Sequence, residues 1–333
     1  MRFSAAPDFR DIVREDLMIP SDTPGIRLRL RNKRPMDLTS FSADRTVVLM
    51  HGATFPAESL FDVPLAGRSF MDVLAQAGFD VWFVDARGYG GSTRPPEMSQ
   101  PPEGAPPLTP TLTAVGDLAT AVTFIRQRRG IDRTHILGLS WGGSIAGAYA
   151  STHNDEVEKL VLVAPLWLSK TPLRIDPGAP LGAYRLANVR AYEAAWRIQA
   201  PEDKRAGLVP ADWFETWAKA TLATDPGSPR EDTIRAPSGA VDDVRNFWTV
   251  DRKLYEPSQI TRPVLLVRGE WDVDVHFDMT TSLFAELTGT PYRRRVEIAE
   301  ASHMILSEKN RGQAYDAIVA FLREHFEPET GAA

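Results

Sequence analysis

The sequence predicts an α/β protein, a mostly parallel sheet wrapped by helices and interrupted by one helical insertion. Three observations carry that reading. Residues 46–50, 81–84 and 157–163 are mostly apolar, and 263–269 return to the same type, which is the composition of strands buried on both faces. Helical patterns lie between these runs, so the strands belong to βαβ units. From residue 166 to about 257 the alternation stops and no convincing strand is visible, which makes that stretch an insertion.

In chain order, residues 12–20 and 25–31 alternate apolar and charged side chains around Ser21-Asp22-Thr23-Pro24, the pattern of two antiparallel strands at a sheet edge. The strand 46–50 is followed by a helical pattern over 69–77 that ends at Gly78, then by the strand 81–84. Residues 94–110, with Pro-Pro pairs at 95, 101 and 106, read as an irregular extended surface segment. A long amphipathic helix over 112–129 ends at Gly130. Strand, sharp turn and helix then run through Thr134 to Ala148, and 157–163 is the next strand. The insertion carries helical segments over 183–199, 210–222 and 240–248. After it come the strand 263–269, a helix over 277–287, a strand over 294–298 and an amphipathic helix over 312–325. The expected division is a core of residues 1–165 and 259–333 with a cap of residues 166–258.

The totals set the class. A chain of 333 residues, 43% hydrophobic and 25% charged, is long enough for one large core with an insertion. A net charge of −6, with a pI near 5.6, argues against a phosphate-backbone binder, so no nucleic-acid partner is expected. Residues 1–16 mix charges with apolar residues, and no apolar run reaches the roughly 20 residues of a membrane span, so a cytoplasmic protein is expected. The absence of cysteine excludes disulfides, thiolate metal sites and a cysteine nucleophile.

The chemistry starts at Gly138-Leu139-Ser140-Trp141-Gly142, which fits G-x-S-x-G. Flanking glycines let backbone crowd a turn so tight that the serine sits in strained φ/ψ, with its hydroxyl projecting into a cleft. The helix that follows aims the N–H of Trp141 and a positive dipole end at charge forming beside Ser140, which is half of an oxyanion hole. A serine also needs a base and an anion to orient that base. Of six histidines, His135, His153 and His325 fall inside or beside regular elements. His303, in the loop Ala299-Glu300-Ala301-Ser302-His303-Met304 after the strand 294–298, enters the carboxyl edge of the sheet and is the expected base. The loop Gly269-Glu270-Trp271-Asp272-Val273-Asp274 offers the acid, with Asp272 preferred over Asp274 and Glu270.

The second oxyanion donor is expected after Met50, in His51-Gly52-Ala53-Thr54-Phe55-Pro56. Ala53 N–H is the first choice and Thr54 the alternative; Pro56 has no N–H, and His51 reads as structural. The turn Asp85-Ala86-Arg87-Gly88-Tyr89-Gly90-Gly91-Ser92 matches neither nucleotide-binding glycine pattern, and Arg87 is expected to tie it to neighbouring loops.

With these residues placed, the chain resembles the α/β-hydrolase superfamily: His51-Gly52, Asp85-x-Arg87-Gly88-x-Gly90-x-Ser92, the Ser140 elbow, Gly269-x-x-Asp272 and His303, in the order nucleophile, acid, histidine. The resemblance implies an eight-stranded sheet, a cap over the pocket and an acyl-enzyme mechanism without cofactor or metal. It implies a serine hydrolase of a small-molecule ester or lactone. Epoxide hydrolases of the superfamily carry aspartate at the elbow, and proline iminopeptidases typically carry His-Gly-Gly-Pro-Gly where this chain has His51-Gly52-Ala53-Thr54-Phe55. Peptidase, acyltransferase and carbon–carbon hydrolase remain alternatives, as does a small-molecule receptor. The insertion is rich in aromatics, and Trp167, Trp196, Trp213 and Trp217, together with Thr54 and Met304, are the candidates to line the pocket. Oligomeric state is not encoded in any of these features.

Overall fold

A computed structural model describes residues 10–326. The first nine residues, on which much of the expectation about the start of the chain rests, and the last seven of the expected core lie outside the described residues. The core elements are β1 (Ile12–Pro20), β2 (Arg27–Pro35), β3 (Thr46–Met50), α1 (Ala57–Phe61), α2 (Phe70–Gln76), β4 (Asp80–Val84), α3 (Thr111–Arg129), β5 (Thr134–Leu139), α4 (Trp141–Thr152) and β6 (Val157–Val163). Next come β7 (Tyr184–Asn188), α5 (Tyr192–Arg197), α6 (Arg205–Leu208), α7 (Ala211–Leu222), β8 (Thr233–Pro237) and α8 (Gly239–Asn246). The chain closes with β9 (Val264–Gly269), α9 (Phe277–Glu286), β10 (Arg293–Ile298) and α10 (Arg311–Arg323). Among the described residues no helix is long and apolar enough to cross a membrane.

Eight strands form one sheet in the order β1-β2-β4-β3-β5-β6-β9-β10, antiparallel at β1, β2 and β4 and parallel from β4 onward. The central parallel strands are mostly apolar because alternate residues serve opposite layers, whereas the edge strand β10 alternates exposed and half-buried residues. Val48, Met50, Trp82 and Val84 pack on one face, and Val47, Leu49, Val81 and Phe83 on the other. The chain passes from β3 to β4 on one side, then returns to β5 on the other. A crevice therefore opens between the carboxyl ends of β3 and β5, where ligands of open α/β sheets bind.

Local chemistry explains the element ends. Ser69 caps α2 in a reciprocal box with Asp72, and Gly130 ends α3 with φ +65°, a left-handed position glycine takes without steric cost. β2 runs on to Pro35, past the alternating stretch that announced it. Its buried Arg31 is held by Asp16, Glu58 and Asp62 at 2.8 to 2.9 Å, and Asn32 donates to Asp80 at 2.7 Å. Charges that look like a loop are here a paired network.

Two expectations are corrected. The stretch after β6 contains a strand pair: β7 and β8 run antiparallel, with Tyr184 opposite Pro237 and Asn188 opposite Thr233, so residues 183–199 are strand followed by a short helix. The proline segment is not wholly irregular, since Pro96–Ser99 and Pro102–Gly104 are 3₁₀ turns that begin on proline's fixed φ.

Candidate active site

Ser140 stands between β5 and α4 with φ 58° and ψ −120°, a conformation L side chains rarely adopt. The turn is latched to the end of β6: Ser140 N–H donates to Val163 O at 2.8 Å, and Ser140 O accepts from Gly143 N–H at 2.9 Å and Leu166 N–H at 3.2 Å. A Cβ on Gly142 would lie 2.2 Å from Met50 O, and one on Gly138 2.0 Å from Gly142 O. Backbone therefore occupies the space of both side chains, which is why the serine is flanked by glycine.

The acid comes from the turn after β9. Asp272 is 2% exposed; its Oδ1 accepts the N–H groups of Asp274 at 2.9 Å and Val275 at 2.8 Å, and its Oδ2 lies 2.9 Å from His303 Nδ1. The other two acids of the loop point elsewhere. Glu270 accepts Glu300 N–H at 2.9 Å, while Asp274 pairs with Arg174 at 3.3 Å and accepts from Gln199 at 3.1 Å. A carboxylate against Nδ1 assigns the neutral ring's proton to that nitrogen and leaves Nε2 able to accept one. Burial alone would lower the His303 pKa, but Asp272 beside it, reinforced by Asp274 and Glu308, raises it to about 9.

Ser140 and His303 line one cavity of about 300 Å³, together with Ala53, Thr54 and Met304. Among the described residues no hydrogen bond joins the Ser140 hydroxyl to His303, a contact that in such sites often tightens only around substrate. The N–H groups of Ala53 and Trp141 donate to no other group among the described residues. Gly52 lets the first approach: a Cβ there would lie 3.3 Å from Ser140 Cβ.

The loop carrying Ala53 is held from three sides. His51 Nε2 accepts Ala86 N–H at 3.0 Å, which places the proton on Nδ1 for donation to Gly52 O at 2.8 Å; burial lowers this ring's pKa and keeps it neutral. Tyr89 donates its hydroxyl to Ala53 O at 2.8 Å, and Arg185 from β7 donates to Ala53 O at 2.8 Å and Thr54 Oγ1 at 2.7 Å. Arg87 ties its turn to Asp117, Asp22 and Thr23, the role expected of it.

The four tryptophans expected in the pocket do not line it. Trp167 packs on Tyr255 at 5.0 Å, Trp196 and Trp217 stack edge-on at 5.4 Å, and Trp213 lies under the Arg311 guanidinium at 4.2 Å. They pack the insertion onto the core: Phe55 of the oxyanion loop sits 4.9 Å from Trp217, whose indole N–H donates to Ser59 O. Of the insertion's aromatics Tyr192 is the one that lines the cavity, beside Leu166, Leu173, Ile175 and Ala195.

Sequence reasoning missed Gln199 and Glu308. Gln199 Oε1 accepts His303 N–H at 3.2 Å and Val273 N–H at 3.5 Å, joining the base loop to the acid loop. Glu308 is fully buried, accepts Ser302 N–H and the Ser302 hydroxyl, and takes the Trp196 indole N–H at 2.7 Å. An acid ending the apolar run Met304-Ile305-Leu306 was the one available hint; nothing in the sequence marked Gln199. Asp272, Asp274 and His303 also bring ligand atoms within 4.8 Å of one another, but Asp272 already serves two backbone N–H groups and the imidazole, the bonding of an acid–base pair.

Comparisons with known proteins bear on the family and the fold. Residues 167 in number align at 28% identity with bifunctional epoxide hydrolase 2 of Rattus norvegicus, covering 49% of this chain and 25% of that protein. A shorter alignment, 35% identical over 82 residues, matches the proline iminopeptidase of Heyndrickxia coagulans, covering 21% of this chain and 28% of the relative. The chain thus spans only about a quarter of these curated relatives' lengths. In structure it is similar to the 2-hydroxy-6-oxo-6-phenylhexa-2,4-dienoate hydrolase of Rhodococcus sp. strain RHA1, with a TM-score of 0.60 at 18% identity over 93% of this chain and 99% of that one. A family model described as alpha/beta hydrolase fold matches residues 46–310, the span from β3 through the His303 loop, and the chain belongs to that family.

Proposed function

We propose that this chain is a serine hydrolase that cleaves a carboxylic ester or lactone through an acyl-enzyme, with Ser140 as nucleophile, His303 as base and Asp272 as its orienting acid. The observation that carries the reading is a strained serine sharing one cavity with a histidine whose Nδ1 is held by a buried aspartate. His303 Nε2 takes the hydroxyl proton as Ser140 Oγ bonds to the carbonyl carbon. The oxyanion is met by the N–H groups of Ala53 and Trp141, and the alcohol leaves with the proton from Nε2. Water repeats the sequence on the acyl-enzyme and frees the acid. Residues 166–258 act as a cap whose Tyr192 and aliphatic neighbours meet the apolar part of the substrate.

The epoxide hydrolase and peptidase relatives mark other chemistries of the family. A peptidase that accepts a free amino terminus needs a carboxylate free to hold it. Glu193 and Glu215, two acids of the insertion that stand beside its aromatics, instead pair with Arg197 and Arg190 and do not line the cavity; Asp274, which does, is taken by Arg174. The test is a fluorophosphonate probe with a substrate panel. Labelling should fall on Ser140 and vanish in Ser140→Ala, and p-nitrophenyl esters or a small lactone should be turned over faster than proline p-nitroanilide. Wild-type labelling of the alanine variant, or an anilide rate above every ester, overturns the assignment.

A further inference from the structure

Two guanidinium groups reach the cavity beside Ser140, Arg174 and Arg185. Arg174 is balanced by Asp274, and His303 by Asp272. Arg185 has no carboxylate partner among the described residues: Nη1 donates to Pro237 O at 2.9 Å, and Nη2 to Ala53 O at 2.8 Å and Thr54 Oγ1 at 2.7 Å. All three acceptors are neutral, and a guanidinium has five N–H donors, so two remain. Burial works against its charge and lowers its pKa, yet an arginine does not give up its proton in a protein. Arg185 is half-buried, and a cation drawn partly out of water towards neutral acceptors alone is unfavourable, while holding Ala53 and Thr54 in place asks only for N–H donors, not for a charge. The charge answers to something that enters the cavity.

We propose that Arg185 is an anion subsite and that the acyl part of the substrate carries a free carboxylate, as in the half-ester of a short dicarboxylic acid. This deepens the serine-hydrolase reading and rests on it. The guanidinium is bonded to the carbonyl of Ala53, the residue whose N–H is to hold the reacting carbonyl oxygen, so the anion lies on the acyl side of the scissile bond, a few atoms from it. Of the two donors left, Nε–H and one Nη1–H, either can give one oxygen of a carboxylate a charge-assisted hydrogen bond. With Arg174–Asp274 and His303–Asp272 paired, Arg185 is the unbalanced charge among the described lining residues, and a monoanion neutralises it. An ester with an uncharged acyl part is then the poorer substrate, and the four tryptophans of the insertion, which pack away from the cavity, do not favour it.

The experiment compares mono-p-nitrophenyl glutarate with p-nitrophenyl valerate, which share a chain length and differ in the terminal carboxylate, in wild type, Arg185→Lys and Arg185→Gln. Wild type should favour the glutarate ester by at least about tenfold in kcat/KM, the effect of one charge-assisted pair. Arg185→Lys should keep part of that preference, and Arg185→Gln should reduce it to about one or less, whatever happens to the absolute rates. Free glutarate should inhibit valerate hydrolysis competitively in wild type and at least about tenfold more weakly in Arg185→Gln. A preference that survives in Arg185→Gln, or a wild type that neither prefers the glutarate ester nor is inhibited by glutarate, overturns the subsite. Should neither ester show Ser140-dependent turnover, the hydrolase reading is what fails; calorimetric titration of glutarate into wild type and Arg185→Gln then decides the subsite separately, since it needs no chemistry.

Discussion

A carboxylate that accepts two backbone N–H groups on one oxygen and an imidazole on the other has little freedom to turn, and Asp272 is in that position against His303. In Asp272→Asn an amide would present N–H towards Nδ1 or lose the contact, favouring the wrong tautomer, and kcat is expected to fall by about 10⁴. Asp274→Asn should cost less than about tenfold in kcat, because Asp274 touches Arg174 and Gln199 and not the imidazole. Its charge does help raise the His303 pKa, so this variant should also move the acid limb of the pH profile to lower pH. In wild type the base must be neutral to work. With its pKa raised to about 9, kcat/KM should climb through the range pH 6.5 to 9, above where an ordinary histidine titrates; a profile flat from pH 5 to 9 contradicts the base.

Elements bring these residues together, and two contacts measure how. The elbow closes only because Gly142 admits Met50 O, so Gly142→Ala should both destabilise the fold and depress turnover more than an alanine elsewhere in α4; parallel urea melts and ester rates check it. The region around α5 reaches the catalytic loops through Gln199 and through Trp196, which donates to Glu308. Gln199→Ala frees the His303 and Val273 N–H groups without touching the reacting atoms, and kcat should fall between about ten- and a hundredfold, the cost of slight misplacement. Glu308→Ala should instead cost stability, roughly 2–4 kcal/mol in urea, because it strands the Trp196 and Ser302 donors in a buried site. The same elements show what pattern reading lacks. In β7, Tyr-Arg-Leu-Ala-Asn alternates too weakly to announce a strand, and its conformation is set by pairing with β8, whose first residue lies 45 positions beyond the end of β7 (233 − 188). β2 was legible to Arg31 and no further, since Arg31 and Asn32 are buried by partners far along the chain.

Across the whole molecule, buried histidines give stability a pH dependence of their own. His135 in β5 is fully buried, and desolvation pushes its pKa down to about 4; His51 is lowered likewise. For a base whose folded pKa is depressed, the unfolded chain takes up a proton near pH 6.5 while the native state refuses it until about pH 4. Stability is therefore lost as pH falls through that window, by roughly 3 kcal/mol for His135 alone. His303 has the opposite sign: its raised pKa adds stability that is fully present below about pH 6.5 and lost as pH rises through about 9. Urea midpoints should thus drop between pH 6.5 and 4.5, less steeply in His135→Leu, and should drop between pH 7 and 9, less steeply in His303→Asn.

The sequence by itself determined the layered α/β architecture and the family of this chain, along with Ser140, Asp272 and His303 as candidates. Each of these is written locally: a strand buried on both faces is apolar at most of its positions, and an elbow that admits backbone at 2.0 and 2.2 Å must have glycine at both flanks. Only the tertiary structure decided which side chains line the cavity. It turned the tryptophans into packing between insertion and core, and it carried Gln199 to a histidine 104 positions away and Arg185 to a loop 131 positions behind it. Such contacts follow from how the insertion lies over the sheet, and no periodicity along the chain records which face of a short helix or strand comes to rest on a cavity.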